Sequence, residues 1–342
     1  MSKMISERLC LGTGELLKNN IKERIKVFKT FANDNGKFVD TAKVYYDGKA
    51  LKIIKGIKKK YSLIAKISYL EKDKNIPIKK KLEEYKKISG YKKIDFFLTH
   101  WSNNKISKKN INDIWNLKKK GQVNFIGLGN PSLDEIKKFY KYTDKNLDAV
   151  QIEYNIFNSF FQKKILDFCI KKNIKLFGYS PLKWCKFKTL SYESGKIIQQ
   201  ISKKYKINFY EMSLLFSLYK NVIPVVSIKN LYRYNRIKKL ESLLGNNFLK
   251  NKIFVLEKSM RCFKTISSNR IWYFVNSKLI SLKEINLEKK SLAIVKREIK
   301  RNNLILKPVF LQKRKGKFIV LDGKIRCKSL YELNKEIKAI IL

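Results

Sequence analysis

The amino-acid sequence predicts an α/β fold, a (β/α)8 TIM barrel followed by a small α+β domain. Apolar strand-like runs alternate with amphipathic helical patterns eight times before about residue 228. Strict alternation of strand and helix favours a parallel sheet, and eight repeats in roughly 250 residues are the size of a closed barrel. An open doubly wound sheet is the competing architecture. It is less favoured because Gly12-Thr13-Gly14, after the first run, is too short for a Gly-x-Gly-x-x-Gly motif.

The predicted strands are short, mostly apolar runs that lie between turn or helix signals. They are Leu9–Thr13, Lys37–Asp40, Leu63–Ile67, Phe96–Thr99, Phe125–Gly129, Ala149–Glu153, Lys175–Tyr179 and Ile223–Val226. Between them, apolar residues recur at the spacing of a helix face. These helical patterns include Ile21–Phe31, Lys79–Ser89, Ile111–Lys119, Ile136–Tyr140, Phe161–Lys172 and Glu211–Leu218.

The composition indicates a globular protein with a strongly basic surface. Hydrophobic residues make up 44% of the 342 positions and aromatic residues 13%, which excludes a disordered chain. Lysine and arginine outnumber aspartate and glutamate by 77 to 28, giving a net charge of +49. Because these lysines are spread over every predicted helix, we interpret the charge as a compositional bias. We expect no DNA-specific binding, although the charge should attract phosphorylated ligands.

The cysteines and the N-terminus favour a cytoplasmic protein. Five scattered cysteines, without a Cys-x-x-Cys pair, indicate neither a disulfide framework nor a zinc site, so no metal is expected. The N-terminus is polar and no apolar run approaches twenty residues, so we expect neither a secretory signal nor a membrane span.

Four polar side chains are expected at the carboxyl ends of neighbouring strands. Asp40 ends the second run and Tyr45 follows it before an Asp-Gly turn; Lys66 lies near the end of the third run, and His100, the only histidine, follows the fourth. Each has an ordinary structural interpretation, such as a helix N-cap for Asp40 or a snorkelling edge residue for Lys66. Polar residues at this rim of a barrel are typical of a functional site, and their convergence favours that interpretation.

The same residues belong to a longer series of motifs, which resembles the aldo-keto reductase family from about Leu9 to about Leu244. The motifs are Asp40-Thr41-Ala42-x-x-Tyr45, Lys66, His100-Trp101, Gly121-Gln122-Val123-x-x-Ile126-Gly127, Gln151-x-Glu153-Tyr154-Asn155 and Tyr179-Ser180-Pro181-Leu182. The resemblance implies a catalytic tetrad of Asp40, Tyr45, Lys66 and His100. It also implies NADPH as cofactor, with NADH as the second option, and a small-molecule carbonyl substrate.

The resemblance further implies a set of cofactor-binding residues, with the nicotinamide held by Asn130 and Gln151 and stacked on Tyr179. The full set is Gly12, Thr13, Asn130, Gln151, Tyr179, Ser180, Leu182, Ser227, Lys229 and Arg233. Two positions depart from the family pattern. Ala65 replaces a small polar residue before the lysine, and Gly129 replaces a serine that would bond the cofactor amide. Gly129 and the altered segment after the eighth strand, Ile223–Asn230, leave open an alternative function. It is a catalytically weak or inactive regulatory or binding protein on the same barrel, whose C-terminal domain binds a nucleotide.

Elementary chemistry supports the implied tetrad. Hydride reduction of a carbonyl builds negative charge on oxygen, which requires a proton donor within hydrogen-bond reach. Tyr45 can donate, and a buried Lys66 ammonium is expected to bring its pKa towards neutrality. Asp40 would keep Lys66 charged, and a neutral His100 would polarise the carbonyl.

The C-terminal part is predicted to form a separate small domain. We assign residues 1–250 to the barrel and 270–342 to the small domain. Residues 251–269 are assigned to a helical tether or linker, in which Ile253–Lys264 is a further helix or tether. Its predicted elements are strands at Lys278–Ile280, Leu306–Gln312 and Lys317–Leu321, and helices at Ser291–Asn302 and Cys327–Leu333.

This domain resembles the ParB N-terminal and sulfiredoxin-like domain, and two of its residues carry the likeness. Gly323 and Arg326 would contact the phosphate of a bound nucleotide, as a backbone approach and a guanidinium at a helix start can do. The alternative is a tight turn with a surface arginine. Sulfiredoxin activity is not expected, because Cys327 follows the arginine instead of preceding it.

Overall fold

The computed structural model describes most of the first 260 residues and parts of the remainder. The described residues are 4–57, 61–67, 76–100, 106–183, 192–260, 263–265, 271–275, 278–281, 287, 292, 296, 309–314, 317–322, 324–333 and 337–341. The chain forms two compact units, Met1–Lys183 with Tyr210–Lys250, and Trp184–Phe209 with Asn251–Leu342. The domain boundaries inferred from the sequence remain a prediction.

The first unit is an eight-stranded parallel barrel in which each strand pairs with the next and the eighth closes on the first. The strands are β1 Cys10–Gly12, β2 Phe38–Ala42, β3 Ser62–Ile67, β4 Ile94–Thr99, β5 Val123–Gly129, β6 Ala149–Glu153, β7 Lys175–Tyr179 and β8 Ile223–Val226. The predicted eight-stranded parallel barrel is therefore confirmed. Strands β2 to β5 are longer than predicted because their pairing with neighbouring strands continues past the apolar run, as where Ala42 pairs with Lys66, whereas β1 is shorter than predicted.

The helices follow the predicted pattern. They are α1 Ile21–Asn33, α2 Lys49–Lys55, α3 Ile78–Ser89, α4 Lys108–Lys119, α5 Leu133–Tyr142, α6 Lys163–Lys171, α7 Tyr192–Tyr205, α8 Phe209–Tyr219, α9 Leu231–Lys238 and α10 Asn247–Ser259. Helix α5 begins at a capping box in which Ser132 and Glu135 satisfy each other's backbone donors. Among the described helices, none is long and apolar enough to cross a membrane.

The chain between α9 and α10 both ends one helical segment and begins the next. A 3-10 helix at Lys239–Leu243 follows α9 and ends before Gly245. The Asn246 side-chain oxygen then accepts a hydrogen bond from the Leu249 amide at 2.8 Å, as an N-cap residue of α10. That helix ends at Ser259, and part of the predicted Ile253–Lys264 segment is instead a short strand, Phe263–Thr265.

The inside of the barrel is filled by apolar side chains, with three phenyl rings in mutual edge-to-face contact. Phe38 lies 5.9 Å from Phe96 and 5.4 Å from Phe177, and Phe96 lies 5.7 Å from Phe177, between ring centroids. Edge-to-face pairs at this distance are favourable beyond the area that they bury. Phe38 begins β2, and Phe96 and Phe177 are the third residues of β4 and β7, so the carboxyl ends of these strands are left for polar side chains.

The described part of the second unit contains a mixed six-stranded sheet. Its strands are β9 Phe263–Thr265, β10 Ile271–Val275, β11 Lys278–Ser281, β12 Val309–Arg314, β13 Lys317–Asp322 and β14 Lys338–Ile341, in the order β11-β10-β13-β12-β14-β9. Helix α11 spans Lys324–Glu332, so Arg326 lies inside its first turn and not before a helix that opens at Cys327. Gly323 and most of the predicted helix Ser291–Asn302 lie outside the described residues.

Candidate active site

The candidate site forms one layer above the apolar core, at the carboxyl ends of the strands. Side chains in a strand point to the same face at every second residue. Two positions after a core residue on each strand, the chain therefore returns to the barrel interior. Each of five core residues is followed two positions later by a polar or aromatic residue of the site. The pairs are Phe38 and Asp40, Ile64 and Lys66, Leu98 and His100, Ala149 and Gln151, and Phe177 and Tyr179.

Three of the four tetrad side chains are joined through the Lys66 ammonium. Its Nζ atom donates to Asp40 Oδ1 at 2.8 Å, to Tyr45 Oη at 2.9 Å and to Gln151 Oε1 at 3.2 Å. An ammonium has three hydrogens, and each of them has a partner here. His100 Nε2 lies 3.4 Å from Tyr45 Oη, which brings the fourth predicted residue to the same hydroxyl.

Gln151 closes this network from the opposite side of the barrel. Its Nε2 donates to Asp40 Oδ2 at 2.8 Å, while its Oε1 accepts from Lys66. Asp40, Lys66 and Gln151 are all buried. The amide thus holds both members of the ion pair, a contact that the sequence interpretation of Gln151 as a cofactor ligand did not include.

Burial and charge shift the pKa values of the network in different directions. Burial of Lys66 disfavours its charge, but the attraction of Asp40 and Tyr45 outweighs this and raises its pKa. Burial, together with the Lys66 charge, lowers the pKa of His100 to about 3, so the imidazole is neutral near pH 7. Burial raises the pKa of Tyr45 above that of a free phenol, and the Lys66 ammonium opposes this shift without reversing it. The expected lowering of the Tyr45 pKa towards neutrality is therefore wrong for the protein alone.

These side chains open into a cavity of about 440 Å³, a volume within the range of small-molecule sites. The predicted residues that line it are Gly12, Asp40, Tyr45, Lys66, His100, Asn130, Gln151, Tyr179, Ser180, Leu182 and Ser227. Three predicted cofactor residues do not line it. Thr13 is buried and donates to Thr41 Oγ1 at 3.0 Å, whereas Lys229 and Arg233 are exposed on the chain after β8.

The cavity also has walls that the sequence interpretation missed. They are Gly14, Glu15, Pro181, Lys183, Val225 and Val226. Glu15 and Lys183 directly follow predicted cofactor motifs, so extending each motif by one or two residues would have found them. Lys183 Nζ pairs with Glu153 Oε1 at 2.9 Å, which places a cation at the cavity wall.

Two residues at the rim have a left-handed backbone. Asn130, directly after β5, and Ser180, directly after β7, both have a φ angle of 53°. Asparagine enters this region readily, whereas for serine it is uncommon. Hydrogen bonds hold both positions, from the Asn130 amide to the Gln151 carbonyl at 2.7 Å and from Asn155 Nδ2 to the Ser180 carbonyl at 3.3 Å. The backbone therefore fixes the two side chains at the cavity rim.

The glycine at 129 has a structural cause. A Cβ atom there would lie 2.2 Å from the Thr99 carbonyl oxygen and 2.7 Å from that of His100, so no side chain fits. The Gly129 amide donates instead to Thr99 Oγ1 at 3.0 Å. This close approach of β4 and β5 explains the departure from the family pattern at this position.

The residues present fit a nicotinamide cofactor. Tyr179, Asn130 and Gln151 line one cavity, and Ser180 and Ser227 line it too. An aromatic face, amide groups and hydroxyl donors match a carboxamide-bearing ring with attached phosphates. In the part of the chain that the structure describes, no group of three or more His, Cys, Asp or Glu side chains could hold a metal ion.

Solved structures share this fold at low sequence identity. A thermostable aldo-keto reductase solved with the inhibitor epalrestat has a TM-score of 0.63 and 20% identity, over 74% of this chain and 94% of its own. An aldo/keto reductase from Klebsiella pneumoniae, solved with NADP and acetate, has a TM-score of 0.63 and 15% identity over 73% and 91%. The glycerol dehydrogenase of Gluconobacter oxydans has a TM-score of 0.62 and 16% identity over 73% and 90%.

The sequence comparison assigns the barrel to a family. A search of curated proteins finds no match. The model of the Aldo/keto reductase family matches residues 8–244, which is more than half of the chain and includes every strand of the barrel. The matched region carries the Asp40, Tyr45, Lys66 and His100 side chains that meet at the cavity. The chain therefore belongs to the Aldo/keto reductase family of oxidoreductases.

Proposed function

We propose that this chain reduces the carbonyl group of a small aldehyde or ketone, a class that includes sugar-derived carbonyls, with NADPH as cofactor. One observation carries the proposal. The Tyr45 hydroxyl lies in the cavity within 2.9 Å of the Lys66 ammonium and 3.4 Å of His100 Nε2. A hydroxyl between a cation and an imidazole is suited to giving its proton to an oxygen that becomes negative during reduction.

The roles of the four side chains follow from their charges. Tyr45 is protonated near neutral pH, because burial raises its pKa, and is therefore the proton donor. Its phenolate would form 2.9 Å from the Lys66 ammonium, whose charge stabilises it. Asp40 orients that ammonium through its 2.8 Å contact. The neutral imidazole of His100 would hydrogen-bond the substrate carbonyl and fix its oxygen near Tyr45 Oη.

The cofactor would be held on the Tyr179 side of the cavity. The reduced nicotinamide supplies the hydride when it is bound. Tyr179 would stack on its ring, and Asn130 and Gln151 would bond its amide. Ser180 and Ser227, which line the same cavity, would contact its phosphates. Two solved structures support this assignment. The aldo/keto reductase from Klebsiella pneumoniae described above was solved with NADP, and another aldo-keto reductase structure from that organism was solved with NADPH.

The preference for NADPH over NADH would depend on the chain after β8. Lys229 and Arg233 are exposed there, outside the cavity wall, and would pair with a 2′-phosphate. We expect Lys229→Ala and Arg233→Ala to weaken NADPH binding about tenfold each without changing NADH binding. Arg236→Ala is the matched control, because Arg236 is already held by Glu211 at 2.5 and 2.7 Å. Equal losses for the two cofactors would contradict the assignment.

The alternative is a weak or inactive reductase that binds the cofactor without turnover. Gly129 favours it, because the family resemblance implies a serine at this position that would bond the cofactor amide. Fluorescence titration with NADPH and NADH, followed by turnover on 4-nitrobenzaldehyde, glyceraldehyde and phenanthrenequinone, separates the two. Binding without oxidation of NADPH by any of these carbonyls would favour the alternative. If neither cofactor bound at about 1 mM, both the reductase proposal and the alternative would be contradicted.

For the C-terminal part, nucleotide binding stays a hypothesis that rests on the likeness around Gly323 and Arg326. Arg326 lies in the first turn of α11, where backbone amides favour an anion. The full-length Arg326→Ala variant should bind CTP and ATP more weakly than the wild type in moderate salt, which suppresses nonspecific attraction by the charge of +49. Equal affinity of the two proteins would indicate a structural turn.

A further inference from the structure

Tyr85 places a buried hydroxyl between the two strand ends that carry Tyr45 and Lys66. Its side chain extends from α3, and only 2% of the residue is exposed. The Oη atom donates to the Lys66 carbonyl oxygen at 2.5 Å and accepts from the Lys43 amide at 2.5 Å. One hydroxyl thus joins the backbone of β3 to the backbone that follows β2.

Both backbone groups are close in sequence to the reacting side chains. Lys43 comes directly after β2, and Tyr45 is two residues further, in a turn closed by a 2.9 Å hydrogen bond from the Tyr45 amide to the Ala42 carbonyl. Lys66 is the register partner of Ala42 in the barrel. The link through Tyr85 therefore joins β3 to the segment after β2 at the point where the two strands stop pairing. Lys66 and Tyr45, next to this point, make the 2.9 Å contact between Nζ and Oη.

The Tyr85 ring is itself held in place. It packs edge-to-face on Phe97 of β4, with 6.5 Å between ring centroids and an interplanar angle of 88°. In the same helix, Ser89 Oγ donates to the Tyr85 carbonyl at 2.6 Å. Burial raises the pKa of Tyr85 well above that of a free phenol, so the hydroxyl keeps its proton and can donate and accept at once.

We propose that Tyr85 is a positioning residue for carbonyl reduction, whose hydroxyl sets the spacing between the Lys66 ammonium and the Tyr45 hydroxyl. The inference rests on the proposed function, because it needs Tyr45 as the proton donor. Proton transfer is sensitive to misplacement of the donor by about 1 Å, a shift that a loosened strand end can produce. Tyr85 does not line the cavity, so cofactor and substrate should not sense its removal directly.

The test is Tyr85→Phe in the full chain, which removes the hydroxyl and keeps the ring. With NADPH and 4-nitrobenzaldehyde, we expect kcat to fall about tenfold while KM and NADPH affinity change less than about twofold. In a plot of kcat against pH, the fall on the alkaline side should move to higher pH. The reason is that Lys66 would stabilise the phenolate of Tyr45 less, which raises the Tyr45 pKa. Hydrogen exchange at the Lys43 amide should accelerate.

Tyr61→Phe is the matched control. Tyr61 is also buried, directly precedes β3 at the end away from the cavity, and donates to the Phe28 carbonyl at 2.6 Å. It should lose comparable thermal stability, but kcat should stay within about twofold of wild type. If Tyr85→Phe does not fold, 4-fluorophenylalanine at position 85 fills the space without a proton to donate, and the same loss of kcat is expected.

The possible failures can be told apart. Full activity in Tyr45→Phe would overturn the proposed proton donor and this inference with it. Loss of activity in Tyr45→Phe together with a wild-type kcat in Tyr85→Phe, or a kcat no lower than in Tyr61→Phe, would overturn the inference alone.

Discussion

Lys66 Nζ lies 2.8 Å from Asp40 Oδ1, and both side chains of this ion pair are only 4% exposed. Two charges removed from water attract each other strongly, but each loses its hydration. The pair is therefore a weak source of stability and a strong constraint on geometry. It holds the ammonium within hydrogen-bond distance of the Tyr45 hydroxyl, at 2.9 Å.

The buried pair predicts that stability and activity can be separated. Lys66→Met should lower the free energy of unfolding by about 3–5 kcal/mol, since it leaves the Asp40 carboxylate buried without its cation. It should also reduce turnover strongly. Adding Asp40→Asn removes the unpaired charge and should restore most of the stability without restoring turnover. Urea unfolding and NADPH oxidation by 4-nitrobenzaldehyde measure the two properties. If the double variant were as unstable as Lys66→Met, the unpaired Asp40 charge would not be the cause of the lost stability.

For the proton donor, we expect Tyr45→Phe to lower kcat by about 10²–10⁴-fold, the usual contribution of a positioned acid. NADPH affinity should stay nearly unchanged, because the hydroxyl acts in the transition state. Tyr46→Phe is a control in the neighbouring residue, whose hydroxyl donates to the Gly14 carbonyl at 3.2 Å and is outside the network. Turnover of Tyr45→Phe near that of Tyr46→Phe would show that another group supplies the proton.

The barrel could be predicted because its signal is local and repeated. Each strand is an apolar run between turns, and hydrogen bonding to neighbours changes only its ends, as at Thr41 and Ala42 of β2. The four tetrad residues could be predicted for the same reason. Asp40 and Lys66 lie at the end of such a run, and Tyr45 and His100 follow one. By contrast, the bond of Gln151 to Asp40 joins residues 111 positions apart, and no local pattern encodes it.

Charge was the least informative part of the sequence. With 77 lysines and arginines, any loop offers cations, so their presence after β8 did not distinguish the cavity wall from its surroundings. Lys183 lines the cavity, whereas Lys229 and Arg233 do not. The direction of the Tyr45 pKa shift could not be predicted from the sequence either, because it depends on how deeply the phenol is buried.

His100 offers a direct measurement, since it is the only histidine in the chain. Its pKa of about 3 in the folded protein lies below that of an exposed imidazole. We therefore expect its NMR signals to show no titration between about pH 5 and 8. A midpoint near about 6.5 would contradict a neutral, buried imidazole.

The same shift predicts a pH dependence of stability. A lowered folded-state pKa means that the unfolded chain binds the proton first as the pH falls. The contribution of His100 is thus fully present above the unfolded pKa of about 6.5 and is lost as the pH falls towards its folded pKa of about 3. Carboxylates titrate in part of this range, so the comparison is with His100→Gln. The wild type should lose more stability than this variant between about pH 6.5 and 5.

Gln151 has both ends of its amide in the network, so its replacement should affect chemistry more than cofactor binding. Gln151→Leu leaves Asp40 Oδ2 and one hydrogen of the Lys66 ammonium without these partners. Because the ammonium then has fewer constraints near Tyr45, we expect kcat to fall about tenfold and the Kd for NADPH to rise less than about threefold. Gln162→Leu, at another buried glutamine outside the cavity, is the control.

A charge at the same position tests the network from the other direction. Gln151→Glu places a second carboxylate beside Asp40, and two neighbouring carboxylates raise the pKa of one of them. We therefore expect the kcat profile of this variant to gain a pH dependence below neutrality that Gln151→Leu lacks. If Gln151→Leu instead raised the Kd for NADPH more than about tenfold at an unchanged kcat, Gln151 would act on the cofactor alone, and its bonds to Asp40 and Lys66 would have no part in the reaction.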